Sequence, residues 1–144
     1  MKKILLVMAM VPFGFVASQA QKINSSQVPA NAKNAFAKMY PNVKHAVWEK
    51  EDGNFEGNWK ENGMDHSAAF TPSGQFAASE TDVAPSALPL KVRQYISDHY
   101  HEKIHEASVN KNSRKEINYE ADISKGRAVL FDKNGNFIKV GEGD

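Results

Sequence analysis

Aromatic residues, prolines and glycines recur along this chain at a spacing of 60 or 61 residues. The recurrences are Tyr40 with Tyr100, Trp59 with Tyr119, and residues 70–76 with residues 131–137, two segments that share the arrangement Phe-x-x-x-Gly-x-Phe. A repeat of this length indicates a structural unit that occurs more than once in the fold. The sequence therefore predicts two tandem repeats, at residues 21–83 and 84–144.

Each repeat begins with a proline followed by apolar residues at helical spacing. Proline is favoured in the first turn of a helix, where its missing N–H is not needed, so Pro29 and Pro89 mark two helix starts. Pro41 should end the first helix near Tyr40, and we expect the second helix to end near residues 99–101. The apolar stripes are Ala32, Phe36, Met39 and Tyr40 in the first helix, and Val92, Ile96 and Tyr100 in the second. Both helices are therefore amphipathic and should cover a flat surface.

Short runs between turn signals predict four strands after each helix. The runs are 43–50, 55–61, 64–71 and 75–80 in the first repeat, and 104–110, 115–123, 127–132 and 136–140 in the second. Apolar and polar residues alternate most clearly in the second strand of each repeat, as in an antiparallel sheet with one packed and one solvated face. The predicted fold class is α+β: two tandem repeats, each one helix followed by a four-stranded antiparallel meander. Together they would form one larger sheet with the helices on the face that carries Trp59 and Tyr119.

The first twenty residues have the three parts of a secretory signal peptide. Lys2 and Lys3 precede fourteen uncharged residues, and Ser18 and Ala20 bracket the expected cleavage site after Ala20. Removing this leader changes the formal net charge from +1 to −1. A protein without an excess of positive charge is not expected to bind nucleic acid. The chain has no cysteine, which excludes disulfides and thiolate chemistry. We therefore expect a periplasmic or secreted protein without a membrane anchor after cleavage.

This combination of features resembles the PepSY-like exported proteins, whose fold is that of the β-lactamase inhibitor protein. The resemblance is carried by the proline-initiated helix, the Tyr40-Pro41 helix exit, the alternating strand and the Phe-x-x-x-Gly-x-Phe hairpin, and it extends over the chain after residue 20. At the second helix exit, Tyr100 is followed by His101 rather than proline. The resemblance implies a non-enzymatic module of the bacterial envelope that binds or restrains another protein, such as a peptidase. It implies no catalytic residues and no cofactor.

The predicted binding residues lie on the polar side of the two alternating strands. An uncovered sheet face would present them to a partner, and the acidic residues of the second repeat would suit a basic partner surface. The residues are Glu56, Asn58 and Lys60 in the first repeat, and Glu116, Asn118, Glu120 and Asp122 in the second. A row of charges is also typical of a merely solvated face.

An alternative function, as a small metal-binding protein or a zinc peptidase, follows from His101-Glu102-x-x-His105, which matches the zinc-metallopeptidase motif. That motif needs both histidines on one face of a helix, whereas here it falls between a helix and a strand. In extended chain the two histidines would be about 13 Å apart, too far for one metal ion. The interpretation as a surface histidine group, together with His99, is therefore preferred, and no metal site is predicted.

Two further patterns also have a structural and a functional interpretation. Asp132-Lys-Asn-Gly-Asn136 resembles the start of a calcium loop, but an Asn-Gly hairpin turn explains it fully. Aromatic residues on the apolar side of the strands could line a site for a small envelope ligand, but core packing is the better interpretation. These residues are Trp48, Phe55, Trp59 and Tyr119. A sensor of a small ligand thus remains the third functional alternative.

Overall fold

The structure is a computed structural model, and it describes residues 20–142. The signal peptide predicted for residues 1–20 thus lies, except for Ala20, outside the described residues. The helices are α1 (Ala30–Met39) and α2 (Leu90–Tyr100), each preceded by a short 3₁₀ helix, Ser25–Gln27 and Pro85–Ala87. The strands are β1 (Gln21–Ile23), β2 (Val47–Glu51), β3 (Asn54–Glu61), β4 (Met64–Phe70), β5 (Phe76–Val83), β6 (Glu106–Lys111), β7 (Ile117–Ile123), β8 (Arg127–Asp132) and β9 (Phe137–Glu142).

The strands are hydrogen-bonded to one another in the order in which they occur along the chain, from β1 to β9. The described residues thus form an α+β fold with two helices and an antiparallel sheet, as the sequence predicts. The sheet has nine strands rather than the expected eight, because β1 was not predicted. The tandem-repeat organisation and the placement of both helices on one face of the sheet stay predictions.

The described chain divides into two compact units, which we call the first unit (residues 20–79) and the second unit (residues 80–142). The division falls within β5. The repeat boundary between residues 83 and 84 stays a prediction.

The core of the first unit forms where α1 packs on the apolar side of its strands. Pro29 caps α1 and its carbonyl oxygen accepts a hydrogen bond from the Lys33 N–H at 3.1 Å, so the helix begins at the predicted proline. Phe36 of α1 is 5% exposed. Its ring contacts four aromatic rings at centroid distances of 5.1 to 6.1 Å, those of Tyr40, Trp48, Trp59 and Phe70. Phe36 is therefore the central side chain of this core.

The core of the second unit is built mainly from aliphatic side chains, with Phe131 as its buried aromatic residue. Val92 and Ile96 of α2 are buried against residues of β6, β7 and β8, namely Ala107, Ala121, Ile123, Val129 and Phe131. Tyr95 borders this core and stacks on Phe137 with ring centroids 5.2 Å apart. In both units the helix thus packs on the face of its strands that the alternation in the sequence marks as apolar.

Gly57 of β3 lies against the ring of Phe36 in α1. A Cβ atom at this position would lie 2.7 Å from Cε2 of Phe36. The Phe36 ring cannot move aside, because other aromatic rings surround it. We therefore expect Gly57→Val to lower the free energy of unfolding by about 1–3 kcal/mol, the usual range for overpacking a core. Chemical denaturation measures this loss of stability. The double variant Gly57→Val with Phe36→Leu should recover part of it. Equal destabilisation in both backgrounds would contradict the proposed steric cause.

Candidate functional site

We use the term helix-free face for the side of each unit's strands that points away from its helix. In the first unit this face includes the predicted residues Glu56, Asn58 and Lys60, because Phe55 and Trp59 alternate with them and face the core. Lys60 is exposed and forms an ion pair with Asp65 at 3.2 Å. The Asn58 side-chain amide donates to the Val47 carbonyl oxygen at 3.5 Å.

Glu56 is the buried carboxyl group of the first unit's helix-free face. It is 6% exposed and lies directly across from Glu49 of β2, with Glu51 two residues further along the same strand. Burial, followed by the charges of Glu51 and Glu49, raises its pKa to about 7, and a hydrogen bond with Asn58 acts in the opposite direction. Burial and like charges both disfavour the carboxylate, so Glu56 holds its proton into the neutral range.

On the helix-free face of the second unit, Glu120 lies in the centre of a row that crosses four strands. The strand register places Ser108 on one side of Glu120 and Leu130 on the other, with Lys139 of β9 beyond Leu130. Glu120 is 9% exposed and accepts a hydrogen bond from the Asn110 side-chain amide at 3.2 Å. The predicted residue is thus anchored within the sheet.

Two further rows flank the Glu120 row. Asp122 lies between Glu106 and Ala128, and Asn118 lies between Asn110 and Asp132. The carboxylate-bearing residues of this face are therefore Glu106, Glu116, Glu120, Asp122 and Asp132. Three of the seven predicted residues, Asn118, Glu120 and Asp122, form consecutive positions of this surface. Glu106, Asp132 and Lys139 were missed by the sequence analysis, although the alternation in β6 and β8 could have placed the first two.

Glu116 is exposed and lies immediately before β7. Its carboxylate accepts hydrogen bonds from the Asn112 amide at 2.6 Å and from the Arg114 guanidinium at 2.9 Å. The hydrogen bond from Asn112, followed by that from Arg114, lowers the pKa of Glu116. This carboxylate therefore stays ionised and accessible, and a partner could reach it without rearranging the sheet.

The expectation of a uniformly solvated polar face is wrong. Glu56, Glu120 and Asp122 are each less than a tenth exposed. They lie in the interior of their strands with a neighbouring strand on both sides, whereas the exposed Lys60 and Glu116 lie near or before strand ends. Alternation in a sequence identifies the face of a sheet, but the flanking strands decide how much water reaches it.

The His-Glu-x-x-His segment lies outside any helix. α2 ends at Tyr100, and His101 follows in the left-handed conformation at φ 53°. The backbone N–H of His105 donates to the Asp122 carbonyl oxygen at 2.8 Å, which fixes this residue beside β7. His99 instead stacks on Tyr95 at a centroid distance of 3.9 Å. The three histidines therefore have separate structural surroundings, as expected from the placement of the motif after a helix.

Glu102, the residue that would be the general base of a metallopeptidase, has structural partners. Its carboxylate accepts hydrogen bonds from the backbone N–H of Ser124 at 3.1 Å and from the Ser124 hydroxyl, and it forms an ion pair with Arg127 at 2.5 Å. The hydrogen bond from the Ser124 hydroxyl is the largest cause of the lowered pKa of Glu102, and the bond from Arg127 acts in the same direction. The group thus links the segment after α2 to the β7–β8 turn.

Replacing Glu102 by Gln should therefore cause a small decrease in the thermal unfolding midpoint at neutral pH. A carboxyl group with a lowered pKa in the folded protein stabilises it above the unfolded pKa, and this contribution is lost as the pH falls through the folded pKa. The difference from the wild type should thus disappear in acid. Scanning calorimetry across the pH range measures this. A difference that grows on acidification would contradict the assignment.

Asp132 and the residues after it form the hairpin turn between β8 and β9. The Asp132 carboxylate accepts hydrogen bonds from the backbone N–H groups of Asn134 at 2.8 Å and Asn136 at 2.9 Å. Hydrogen bonding by Asn136 is the main cause of its lowered pKa. The prediction of a hairpin turn rather than a calcium loop agrees with this geometry. The Asn136 side chain also accepts a hydrogen bond from Lys91, which ties the turn to the start of α2.

The aromatic residues considered as a ligand platform belong to the cores. Trp48 and Phe55 are 6% and 7% exposed and contribute to the first core. Trp59 packs against that core and also stacks on His66 with ring centroids 5.3 Å apart. Tyr119 packs against the second core. The interpretation as core packing is confirmed.

The described residues, 20–142, were compared with the requirements of a metal site and of a membrane-spanning helix. Within that range, no three His, Asp or Glu side chains are arranged so that they could hold a metal ion. Neither of the helices there has the length and apolar composition needed to cross a membrane.

Residues 61–139, more than half of the chain, match the model of the family described as "Putative beta-lactamase-inhibitor-like, PepSY-like". The matched segment includes β4, β5, α2 and most of β6 to β9. No protein of curated function matches the chain.

Several solved structures share the fold. A "putative periplasmic" protein from Bacteroides eggerthii has 17% identity and a TM-score of 0.73, with 80% of this chain and 88% of that chain covered. A protein from Bacteroides uniformis, assigned to a family of unknown function, has 17% identity and a TM-score of 0.71, with 79% and 88% covered. A protein from Bacteroides fragilis described as similar to the β-lactamase inhibitor protein has 17% identity and a TM-score of 0.66, with 81% and 89% covered.

Proposed function

This chain belongs to the PepSY-like family, and from that premise we propose that it is a non-enzymatic binding module that recognises another envelope protein. The family description likens its members to β-lactamase inhibitors, and one structure with the same fold is named for that likeness. Inhibition by such a module needs a recognition surface and no catalytic group. Localisation in the envelope is supported by the signal-peptide pattern of residues 1–20 and by the "putative periplasmic" description of a structural neighbour.

The observation that carries this proposal is the charge of the second unit's helix-free face. Five carboxylate-bearing residues lie on or beside this face, together with Lys139 and with Arg114, which pairs with Glu116. Complementary potentials accelerate association and select among partners, so this surface suits a partner that presents lysine and arginine side chains. The partner would meet the exposed Glu116 first. The half-buried Asn118 lies two residues further along β7.

Glu120 and Asp122 have a different part in the proposed interface. Both side chains lie below the surface, so they offer little area for direct contact and support the strand beneath the exposed residues. On the first unit, Glu56, Asn58 and Lys60 form the corresponding polar strand, and its only exposed member, Lys60, is paired with Asp65. We therefore assign recognition mainly to β7.

Charge reversal at the exposed end of β7 tests this assignment. Immobilised protein spanning residues 21–144 would be used to capture envelope proteins of the source bacterium, and the retained proteins would be identified by mass spectrometry. The variant Glu116→Lys with Asn118→Lys should lose a partner that the wild type retains, because it converts an acidic edge into a basic one. Both positions have access to solvent, so the variant should fold.

The matched control is Asp98→Lys on the exposed surface of α2. It introduces a charge reversal of the same sign on the same unit, away from the sheet. Retention of the partner by this control, together with its loss from the β7 variant, would support the assignment. Equal retention by the wild type and the β7 variant would refute the assignment to β7.

A further inference from the structure

The residue that follows the predicted signal-peptide cleavage site is also the first residue of the sheet. β1 begins at Gln21 and pairs with β2, so that Gln21 lies opposite Lys50 and Ile23 lies opposite Trp48. Ile23 packs against the core of the first unit, whereas Gln21 and Lys22 are exposed. β1 is three residues long and forms one edge of the sheet. After cleavage, the chain terminus would therefore be a structural strand.

We propose that Gln21 is a modification site, and that after export its α-amine closes on its own side chain to form pyroglutamate. This inference rests on the proposed export, because cleavage after Ala20 must first free the α-amine. The amine nitrogen attacks Cδ of the side-chain carboxamide, a C–N bond forms, and the Cδ–Nε2 bond breaks. The side-chain nitrogen leaves as ammonia with a proton from the attacking amine, so the reaction requires no oxidant or other reactant.

The structure favours this reaction at Gln21 in two respects. The side chain is exposed, so it can reach its own backbone nitrogen without disturbing the core. The reaction is intramolecular and forms a five-membered ring, which removes the entropic cost of bringing two molecules together. The lactam also retains one N–H, so the strand loses no backbone group needed for pairing.

Cyclisation would protect the edge of the sheet. Exposed termini are preferred sites of proteolysis, and aminopeptidases require a free α-amine. Removal of residues 21–23 would eliminate the pairing of β1 with β2 and uncover Trp48, which is 6% exposed in the intact protein. A lactam ends the chain without a positive charge, at a position that already has Lys22 and Lys50 as neighbours. The modification would thus preserve a strand that three residues alone hold in place.

The mass of the exported protein tests the proposal. The full chain, residues 1–144, would be exported from an expression host, purified from the periplasm and analysed as intact protein and as its N-terminal peptide. The expected product starts at Gln21 and has lost the mass of one ammonia. The control variant is Gln21→Asn, which has the same functional group but would have to form a strained four-membered ring. It should start at residue 21 with an open amine.

A second measurement examines the protective effect. Incubation with a broad-specificity aminopeptidase should release residues from Gln21→Asn and leave the wild type intact. The trimmed variant should then show a larger fraction of solvent-exposed tryptophan by fluorescence quenching.

Two results would overturn the proposal in different ways. A wild-type product that starts at Gln21 and keeps its amine after prolonged incubation would refute cyclisation and leave the export proposal intact. A product that retains the leader, or that starts at another residue, would refute the cleavage site and the cyclisation with it. Neither result would bear on partner binding by β7.

Discussion

Glu56→Gln should make the protein more stable than the wild type in alkaline solution, by up to about 3 kcal/mol in the free energy of unfolding. The Glu56 carboxyl group has a pKa of about 7 in the folded protein and 4.5 as an isolated group. Because the pKa is higher in the folded protein, the protein takes up a proton when it folds at a pH between these two values. Wild-type stability should therefore be full below the unfolded pKa and decline as the pH rises through 7. Glutamine keeps the shape of the protonated carboxyl group and cannot ionise, so the variant should lack this decline.

Urea denaturation of both proteins at several pH values between about 4 and 9 measures the effect. The two stability curves should converge below pH 4.5, separate between pH 4.5 and about 7, and keep a constant difference at higher pH. Glu61→Gln is the matched control, because Glu61 lies on the same strand but is exposed. It should follow the wild-type curve. If the wild type and Glu56→Gln remain parallel over the whole range, the side chain titrates at an ordinary value and its burial has no energetic cost.

Phe36→Ala should lower the free energy of unfolding by about 3–5 kcal/mol, since the phenyl ring fills the centre of a close-packed aromatic core. The ring is 5% exposed and lies 5.1 Å from that of Trp48 and 5.4 Å from that of Trp59. These are the two tryptophans of the chain, so tryptophan fluorescence reports on the first unit. The variant should show a lower denaturation midpoint and an altered emission spectrum in the folded state.

The control for this variant is Asn34→Ala on the exposed surface of α1, which should unfold close to the wild-type midpoint. Phe131→Ala adds a second comparison, because Phe131 is buried in the second unit and has no tryptophan beside it. Its cost should be similar when unfolding is followed by circular dichroism. A loss below about 1 kcal/mol for Phe36→Ala would mean that the surrounding rings collapse into the space and that Phe36 is not the centre of the core.

The sequence predicts the helices and most strands well because their signals are local. Pro29 and Pro89 locate both helix starts to within one residue, and the alternation in β3 and β7 assigns the core-facing side chains correctly. β1 is not predicted because a strand of three residues is too short to show an alternating pattern of apolar and polar residues. Its single core residue, Ile23, is recognisable only from its position opposite Trp48.

The matching of Trp59 with Tyr119 at a spacing of 60 residues does not agree with the strand register. Phe70 and Phe131 occupy the same place in their repeated segments, yet Phe70 lies opposite Phe55 while Phe131 lies opposite Tyr119. The β6–β7 connection (residues 112–116) is longer than the β2–β3 turn (residues 52–53). In contrast, the paired residues Tyr119 and Phe131 are closer along the chain than the paired residues Phe55 and Phe70. These two differences in length nearly cancel, so the spacing of 60 or 61 residues between the repeats is kept. The repeat spacing therefore does not show them, and they become visible only in the pairing of the strands.

For the candidate site, the sequence indicates which side chains share a face and does not indicate their exposure. Glu120 and Glu116 belong to the same alternating row, and only the first is flanked by the side chains of Ser108 and Leu130. The raised pKa of Glu56 likewise depends on its burial between strands and then on the charges of Glu51 and Glu49, which β2 places beside it. Such effects arise from strand pairing, which a single sequence specifies only through its turns.

The order of strands in the sheet also has a consequence for how the chain acquires its structure. Every strand pairs with the strand that precedes or follows it, and most of these pairs are joined by short turns, whereas β1 joins β2 through α1 and β5 joins β6 through α2. Proteins dominated by such local pairings fold faster than those that must join distant segments. A chain that crosses a membrane unfolded emerges progressively, and each hairpin here is complete once its second strand has emerged. For the export proposed above, hairpins that form as they emerge would leave little time for unpaired strand edges to aggregate.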